Sequence, residues 1–406
     1  MRGRWVPLNS SDPPYHVGHL FDVHDYARRV LRCHRDTPGW RMGWVEDGVG
    51  PELQSANDMC ERMQGTHALF IGDSLSLQMY ESWRARLRQQ RFAAGEEGTC
   101  GSTADGATTT GGWHMSRRCE GPAPELCAGN CVNRADDNDR HSSSYAVCDN
   151  GATVFMAQAF NWIMDVKSFT SSVVDMPKCA NRLHRSPSDF GFVEIPREHL
   201  GRMLEHVAKP MRTRRGVQHN ASRIIVYYNQ FAHLHTPILA LQDCYASGLS
   251  DADAWSAARR DVMRFWAADM AKWAAAFRDL KGPLAERGLR LQVFWRSSPA
   301  ACDSVCLPDK GARSLAEPGP LITGVLGSSR YSHDLVYQVN DIGRAAFEAA
   351  GHAVIDLEHM LGVRVDMHPA SLPNPDGTIY PDTIHYCQPG PADWALDVLM
   401  RRALLS

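Results

Sequence analysis

The chain has 406 residues, of which 44% are hydrophobic and 22% charged, and this composition excludes a wholly disordered protein. Lysine and arginine number 43 against 46 acidic residues, and the resulting net charge of −3 gives no basis for a nucleic-acid-binding surface. No run of about 18 apolar residues occurs, so the sequence predicts no transmembrane helix.

Residues 1–66 contain tryptophans, glycines and turn-forming prolines but little hydrophobic periodicity. They predict an irregular N-terminal lobe that wraps a larger body, and a pairing of Cys33 with Cys60 would tie this lobe together. The first residues, Met1 to Leu8, have no apolar core of signal-peptide length.

An apolar run at residues 68–71 leads directly into Gly72, Asp73 and Ser74, and an amphipathic run follows at 77–87. This pattern predicts a strand, a tight turn and a helix, with a serine hydroxyl at the helix N-terminus, where backbone amides face developing negative charge. The local sequence has two interpretations of equal weight: Ser74 is a nucleophile, or Asp73 and Ser74 are an ordinary helix N-cap pair.

A long insertion, 94–150, is rich in Gly, Ser, Thr and Asp and contains five of the twelve cysteines. An even number of cysteines at irregular spacing favours disulfides over zinc. The pairs Cys127 and Cys131, and Cys302 and Cys306, keep zinc open as an alternative.

Beyond the insertion, strand and helix patterns alternate. The sequence predicts strands at 152–160, 223–229, 289–295 and 352–357, and helices at 197–211, 251–281, 334–350 and 391–404. This alternation predicts an α/β domain, 67–406, with a mainly parallel sheet covered by helices on both faces. Functional sites in such sheets lie at the carboxyl ends of the strands.

A reactive serine needs a general base, and Asp382 and His385 supply a base and a carboxylate to orient it. A lone Asp-x2-His is more often a surface turn. Asn229, at a predicted strand end, either binds an oxyanion beside the Ser74 backbone N–H or caps the following loop. SGNH/GDSL hydrolases have these motifs in the same order: Gly-Asp-Ser early in the chain, a strand-end Asn midway and Asp-x2-His late.

The C-terminal region resembles the trichome-birefringence-like (TBL) and PC-esterase family. Residues 382–394, DTIHYCQPGPADW, resemble that family's D-x-x-H-W-C-x-P-G-x-x-D-x-W motif. Further similar segments are 364–369 (R-x-D-A-H-P in the family), 293–299 (F-F-R-T-x-S-P), 226–233 (V-F-N-T-G-H-W), and two weaker N-terminal pieces, 3–6 and 40–44. The similarity runs through nearly the whole chain, in order.

The resemblance implies an SGNH-hydrolase-like three-layer sandwich and polysaccharide O-acetyltransferase activity through an acyl-serine intermediate. Ser74 would be the nucleophile, His385 the general base and then acid, and Asp382 the group that orients His385. The Ser74 N–H and Asn229 would form the oxyanion site. The resemblance implies no bound cofactor and no metal, an acetyl donor of unspecified chemistry as co-substrate, and a glycan as partner.

Six further residues are implied to bind substrate or to brace the catalytic loop: Gln78, His233, Arg296, Arg364, Asp366 and His368. A disulfide from Cys387 to Cys302 or Cys306 would pin that loop. Leu77 stands where the family usually has an arginine, which leaves the donor and acceptor open. The alternatives are an acetylesterase with the same triad and a catalytically silent glycan-binding or cell-wall protein.

The cysteines, with the glycosylation sequons at Asn9 and Asn220, predict the secretory pathway, in the Golgi lumen or outside the cell. The absence of a signal segment disagrees, and we interpret it as a trimmed or misassigned N-terminus. The other interpretation is a cytosolic protein with free thiols. The sequence leaves the oligomeric state open.

Overall fold

The structure is a computed structural model that describes residues 3–8, 42–46, 54–93, 143–148, 150–158, 196–209, 211–212, 218–230, 234–299, 335–362, 385–386, 388 and 390–405. The strands are β1 (Gly3–Pro7), β2 (Met42–Glu46), β3 (Thr66–Gly72), β4 (Ser143–Val147), β5 (Thr153–Gln158), β6 (Met211–Arg212), β7 (Gln218–His219), β8 (Arg223–Tyr228), β9 (Arg290–Arg296) and β10 (Ala353–Ile355). The helices are α1 (Ala56–Arg62), α2 (Ser74–Ala93), α3 (Pro196–Val207), α4 (His235–Tyr245), α5 (Asp251–Glu286), α6 (Val336–Ala349), α7 (Glu358–Gly362) and α8 (Pro391–Leu405).

The central sheet has the strand order β10-β9-β8-β3-β5-β4. The first five of these strands are parallel, and β4 pairs antiparallel with β5. The predicted α/β class with a mainly parallel sheet is therefore confirmed. From β3 the chain passes first to β5 on one side and later to β8 on the other, which makes the carboxyl end of β3 a topological switch point.

Alternate residues of the strands face two separate hydrophobic cores. Leu69 and Ile71 of β3 belong to a core with helices α3, α4, α5 and α6. Ala68 and Phe70 belong to the other core, with helices α1, α2, α7 and α8. Both faces of the sheet are covered, and this explains why its strands are continuous apolar runs rather than alternating patterns.

Strand β4 lies inside the segment that the sequence pattern predicts to be an insertion. Residues 143–147 pair with 153–157, so the end of the predicted 94–150 insertion is an edge strand of the central sheet. A five-residue edge strand next to a Gly- and Ser-rich stretch has too short a pattern to be recognised in sequence.

The N-terminal lobe contains regular structure where it is described. Strands β1 and β2 pair antiparallel, with Trp5 opposite Trp44. Trp5 also donates from Nε1 to the carbonyl of Met360 at 2.9 Å and contacts Trp394 edge-on. The described part of the lobe therefore shares the core of α2 and α8.

The cysteine pairing also differs from the expectation for the lobe. Cys60 forms a disulfide with Cys148, 88 positions later, so the expected Cys33–Cys60 bond is wrong. Cys244 is disulfide-bonded as well. The suggested bonds of Cys387 lie outside the described residues. Within the described part of the chain, no helix is both long and apolar enough to cross a membrane.

Candidate active site

Ser74 is the first residue of α2 and follows the fully buried strand β3 at the switch point. Asp73 accepts the backbone N–H of Leu75 at 3.0 Å through its side chain, so it caps the helix. A Cβ on Gly72 would overlap the Ser76 hydroxyl and lie 2.5 Å from the carbonyl oxygen of Asn229. The turn therefore needs glycine at position 72 for close packing.

His385 meets Ser74 across 311 positions of sequence. Its Nε2 lies 2.6 Å from Ser74 Oγ. A neutral imidazole with its proton on Nδ1 accepts the serine O–H at this distance and is placed to remove that proton when Oγ attacks. The hydroxyl and the imidazole thus have the geometry that a nucleophile–base pair requires, with the amides of the α2 N-terminus beside them.

Gln78 holds the backbone next to His385. Its Oε1 accepts the N–H of Tyr386 at 3.0 Å, and its Nε2 donates to the Tyr386 carbonyl at 2.8 Å. Gln388 reaches back to the same helix and donates to the Gln78 carbonyl and to Ser82 Oγ, each at 2.8 Å. Gln78 therefore fixes the backbone of Tyr386, the residue after His385.

Asn229 ends β8 and is tied to the next strand. Its Nδ2 donates to the carbonyl of Arg296 at 2.7 Å. The hydroxyl oxygen of Ser298 lies 3.0 Å from Asn229 Nδ2 and 3.2 Å from Asn229 Oδ1. If the Ser298 hydroxyl donates to Oδ1, one amide hydrogen is left for an oxyanion. If it accepts from Nδ2, both hydrogens are used, and Asn229 acts as a brace between the strand ends.

No family model matches this chain, and no curated protein matches its sequence.

Arg296, at the end of β9, places a buried cation beneath the start of α2. Its Nη2 donates to Ser76 Oγ at 2.6 Å and lies 3.6 Å from Asp73 Oδ1. Burial lowers the pKa of Arg296 to about 10, against the opposing effect of the Asp73 carboxylate, so the guanidinium stays charged at neutral pH. Among the described residues, neither its Nε nor its Nη1 has a hydrogen-bond acceptor.

A second polar network joins the ends of β9 and β10. Asn340 of α6 accepts from the N–H of Ser298 at 2.9 Å and donates to its carbonyl at 2.8 Å. Ser297 Oγ donates to Asp356 at 2.8 Å and accepts the N–H of Leu357 at 2.7 Å. Ser298 has a position just past a predicted strand end, but the sequence assigns no role to Ser76 or Asn340, and no spacing signal marks these two.

Five predicted site residues lie outside the described residues: Asp382, His233, Arg364, Asp366 and His368. Their roles stay predictions. Among the described residues no group of three or more metal-ligating side chains occurs, and the expectation of chemistry without a metal likewise stays a prediction.

Proposed function

We propose that this protein is a polysaccharide O-acetyltransferase of the TBL type, with an SGNH-like fold. The observation that carries the proposal is the 2.6 Å contact between Ser74 Oγ and His385 Nε2 at the switch point of a parallel sheet. The resemblance of the C-terminal segment supplies the substrate class.

In the proposed reaction, Ser74 Oγ attacks the acyl carbonyl carbon of the donor while its proton passes to His385 Nε2. The imidazolium then gives that proton to the leaving group, and an acyl-serine forms. A sugar hydroxyl next loses its proton to His385 and attacks the acyl carbon. The acyl–Oγ bond breaks as the new ester forms, and the imidazolium returns the proton to Ser74 Oγ. Asp382 is assigned the orientation of His385 Nδ1–H.

Two features favour stabilisation of the tetrahedral oxyanion. The N–H of Ser74 belongs to the N-terminus of α2, whose partial positive charge favours an anion. The buried Arg296 guanidinium lies near the same turn, where the Asp73 carboxylate at 3.6 Å offsets part of its positive charge. These contributions support acyl chemistry rather than a passive binding role.

The proposed compartment is the secretory pathway. A Cys60–Cys148 disulfide is typical of an oxidising compartment, and the sequon residue Asn220 is exposed. A mass shift on glycosidase treatment of the secreted protein would support this assignment.

The test is incubation of the protein with an acetyl donor and unsubstituted xylan or mannan. Transfer of acetyl groups to the glycan, lost in Ser74→Ala and His385→Ala with the fold preserved, supports the proposal. Release of acetate without glycan acetylation makes the protein an acetylesterase. Retention of biological activity in Ser74→Ala makes it a silent glycan-binding protein.

A further inference from the structure

Helix α5 extends well past the edge of the sheet at which Ser74 lies. Its 36 residues span about 54 Å, whereas the seven residues of β9, which follows it, span about 23 Å. Trp273 of α5 contacts Tyr228, the last residue of β8. Residues closer to the N-terminus of α5 than Trp273 therefore lie beyond the carboxyl edge of the sheet.

Helix α6 begins at the same end of the molecule. Asn340 contacts Ser298, which lies two residues after the carboxyl end of β9. Leu335, five residues before Asn340, thus also lies beyond the carboxyl edge. Between the first halves of α5 and α6 is a groove of about 460 Å³, here called the basic groove.

Cationic side chains line the basic groove. Arg259, Arg260 and Arg264 come from α5, with Met263, and α6 adds Leu335 and Ile342. Met263 and Leu335 are buried and form an apolar floor, while Arg260 and Arg264 are exposed. A floor of apolar groups under fixed charges is the composition of a ligand site.

The charge of the groove is positive. None of the described residues that line it is acidic. The nearest acid on α5, Asp261, is shared between Arg264 at 3.5 Å and the hydroxyl of Tyr245 at 2.5 Å. Asp341 on α6 is exposed beside Ile342. Among the described residues, the three arginines of the groove outnumber these two carboxylates, in a chain whose net charge is −3.

Aromatic rings hold two of the guanidinium groups. Arg259 lies over the ring of Trp255 at 5.6 Å, and Arg264 over that of Phe265 at 5.7 Å. Such contacts restrict the rotamers of the arginines. An arginine is always charged and binds carboxylate or sulfate oxygens in a bidentate manner.

We propose that the basic groove binds the carboxylate or sulfate groups of an acidic polysaccharide and thereby directs that polymer to Ser74. This inference rests on the proposed function and narrows its substrate class from glycans to anionic glycans. Both the groove and Ser74 lie at the carboxyl edge of the sheet, and the proposal requires one extended polymer chain to reach from one to the other.

The test measures the affinity of the full chain for polygalacturonate, a sulfated galactan and neutral mannan by affinity electrophoresis at low and high salt. We expect tight binding of one or both acidic polymers, weakened by salt, and weak binding of mannan. The two acidic polymers distinguish carboxylate from sulfate. Equal affinity for mannan, or no effect of salt, would overturn the proposal.

The variant R260A/R264A should bind the acidic polymer about 10- to 100-fold more weakly, because two charge-assisted contacts are lost. The matched control is R278A, an arginine of the same helix that is 55% exposed, pairs with Asp279 at 3.0 Å and lies outside the groove. R278A should bind like the wild type. R260K/R264K keeps both charges and should recover part of the affinity; losses equal to those of the alanine variant would overturn the proposal.

Cleavage of p-nitrophenyl acetate by the wild type and by Ser74→Ala separates the two proposals. Ser74-dependent cleavage with unchanged polymer affinity in R260A/R264A overturns the groove alone. Arginine-dependent binding of acidic polymers without any Ser74-dependent reaction overturns the enzyme and leaves the groove as a glycan-binding site.

Discussion

Replacement of Gln78 by Met tests whether α2 positions His385. The Gln78 side chain is 1% exposed and makes two hydrogen bonds to the Tyr386 backbone, at 3.0 and 2.8 Å. Methionine fills a similar volume but pairs with neither group. Each buried polar group left unpaired costs about 1–3 kcal/mol. With both the N–H and the carbonyl of Tyr386 unpaired, we expect the free energy of unfolding to fall by about 2–6 kcal/mol.

Part of this loss should appear in catalysis, because Tyr386 is the residue after His385. A displacement of the imidazole from its 2.6 Å contact with Ser74 should lower kcat by about 10- to 100-fold, with KM little changed. The assay is steady-state cleavage of a small acetyl ester, with urea denaturation of the same samples.

Ser82→Ala is the matched control. Ser82 lies on the same helix as Gln78, and its hydroxyl accepts a hydrogen bond from Gln388 at 2.8 Å. The substitution removes this bond but leaves both bonds from Gln78 to Tyr386 intact. We expect about 1 kcal/mol loss of stability and an unchanged kcat. A Gln78→Met protein that is destabilised but retains the wild-type kcat would refute the link between this amide and His385.

Three further changes have defined outcomes. Gly72→Ala forces a Cβ onto the Ser76 hydroxyl and should abolish ester cleavage or folding; full activity with normal melting would show that the turn has spare room. Reduction of Cys60–Cys148, tested as the double alanine variant, opens a loop of 88 positions and should lower unfolding free energy by about 4–5 kcal/mol in urea titration; a change below about 1 kcal/mol would contradict it. Burial raises the pKa of Glu358, so its ionised form is disfavoured in the fold and stability is lost as pH rises through that pKa. The stability of Glu358→Gln relative to the wild type should thus increase as the pH rises above the ordinary pKa of a glutamic acid, and a flat difference argues against the shift.

The sequence predicts the turn that carries Ser74 because the necessary features are local. A buried apolar strand, a glycine and a capping aspartate are consecutive in the chain, and each has a conformational preference that can be read without tertiary contacts. The main strands of the sheet are recognisable for the same reason, since burial on both faces requires continuous apolar runs.

The contacts that complete the site are not local. The amide of Gln78 finds its partner 308 positions away, and the Arg296 guanidinium reaches Ser76 over 220 positions. Neither residue carries a pattern that specifies its partner. The Cys60–Cys148 bond could not be deduced either, because twelve cysteines allow very many connectivities. Helix α5 was predicted to end near residue 281 and continues through Pro283 to Glu286, since its last turn is set by packing.

The separation of Ser74 and His385 has a consequence for the order of events during synthesis. A nascent chain that ends before residue 385 already holds the strand, the turn and the hydroxyl, but it has no imidazole beside them. Helix α8 packs on α2 and accepts a hydrogen bond from Tyr227 at the carbonyl of Leu399, and it too is synthesised long after Ser74. Under the proposed mechanism, Ser74 therefore gains its base only after residue 385 has been synthesised and has docked beside α2.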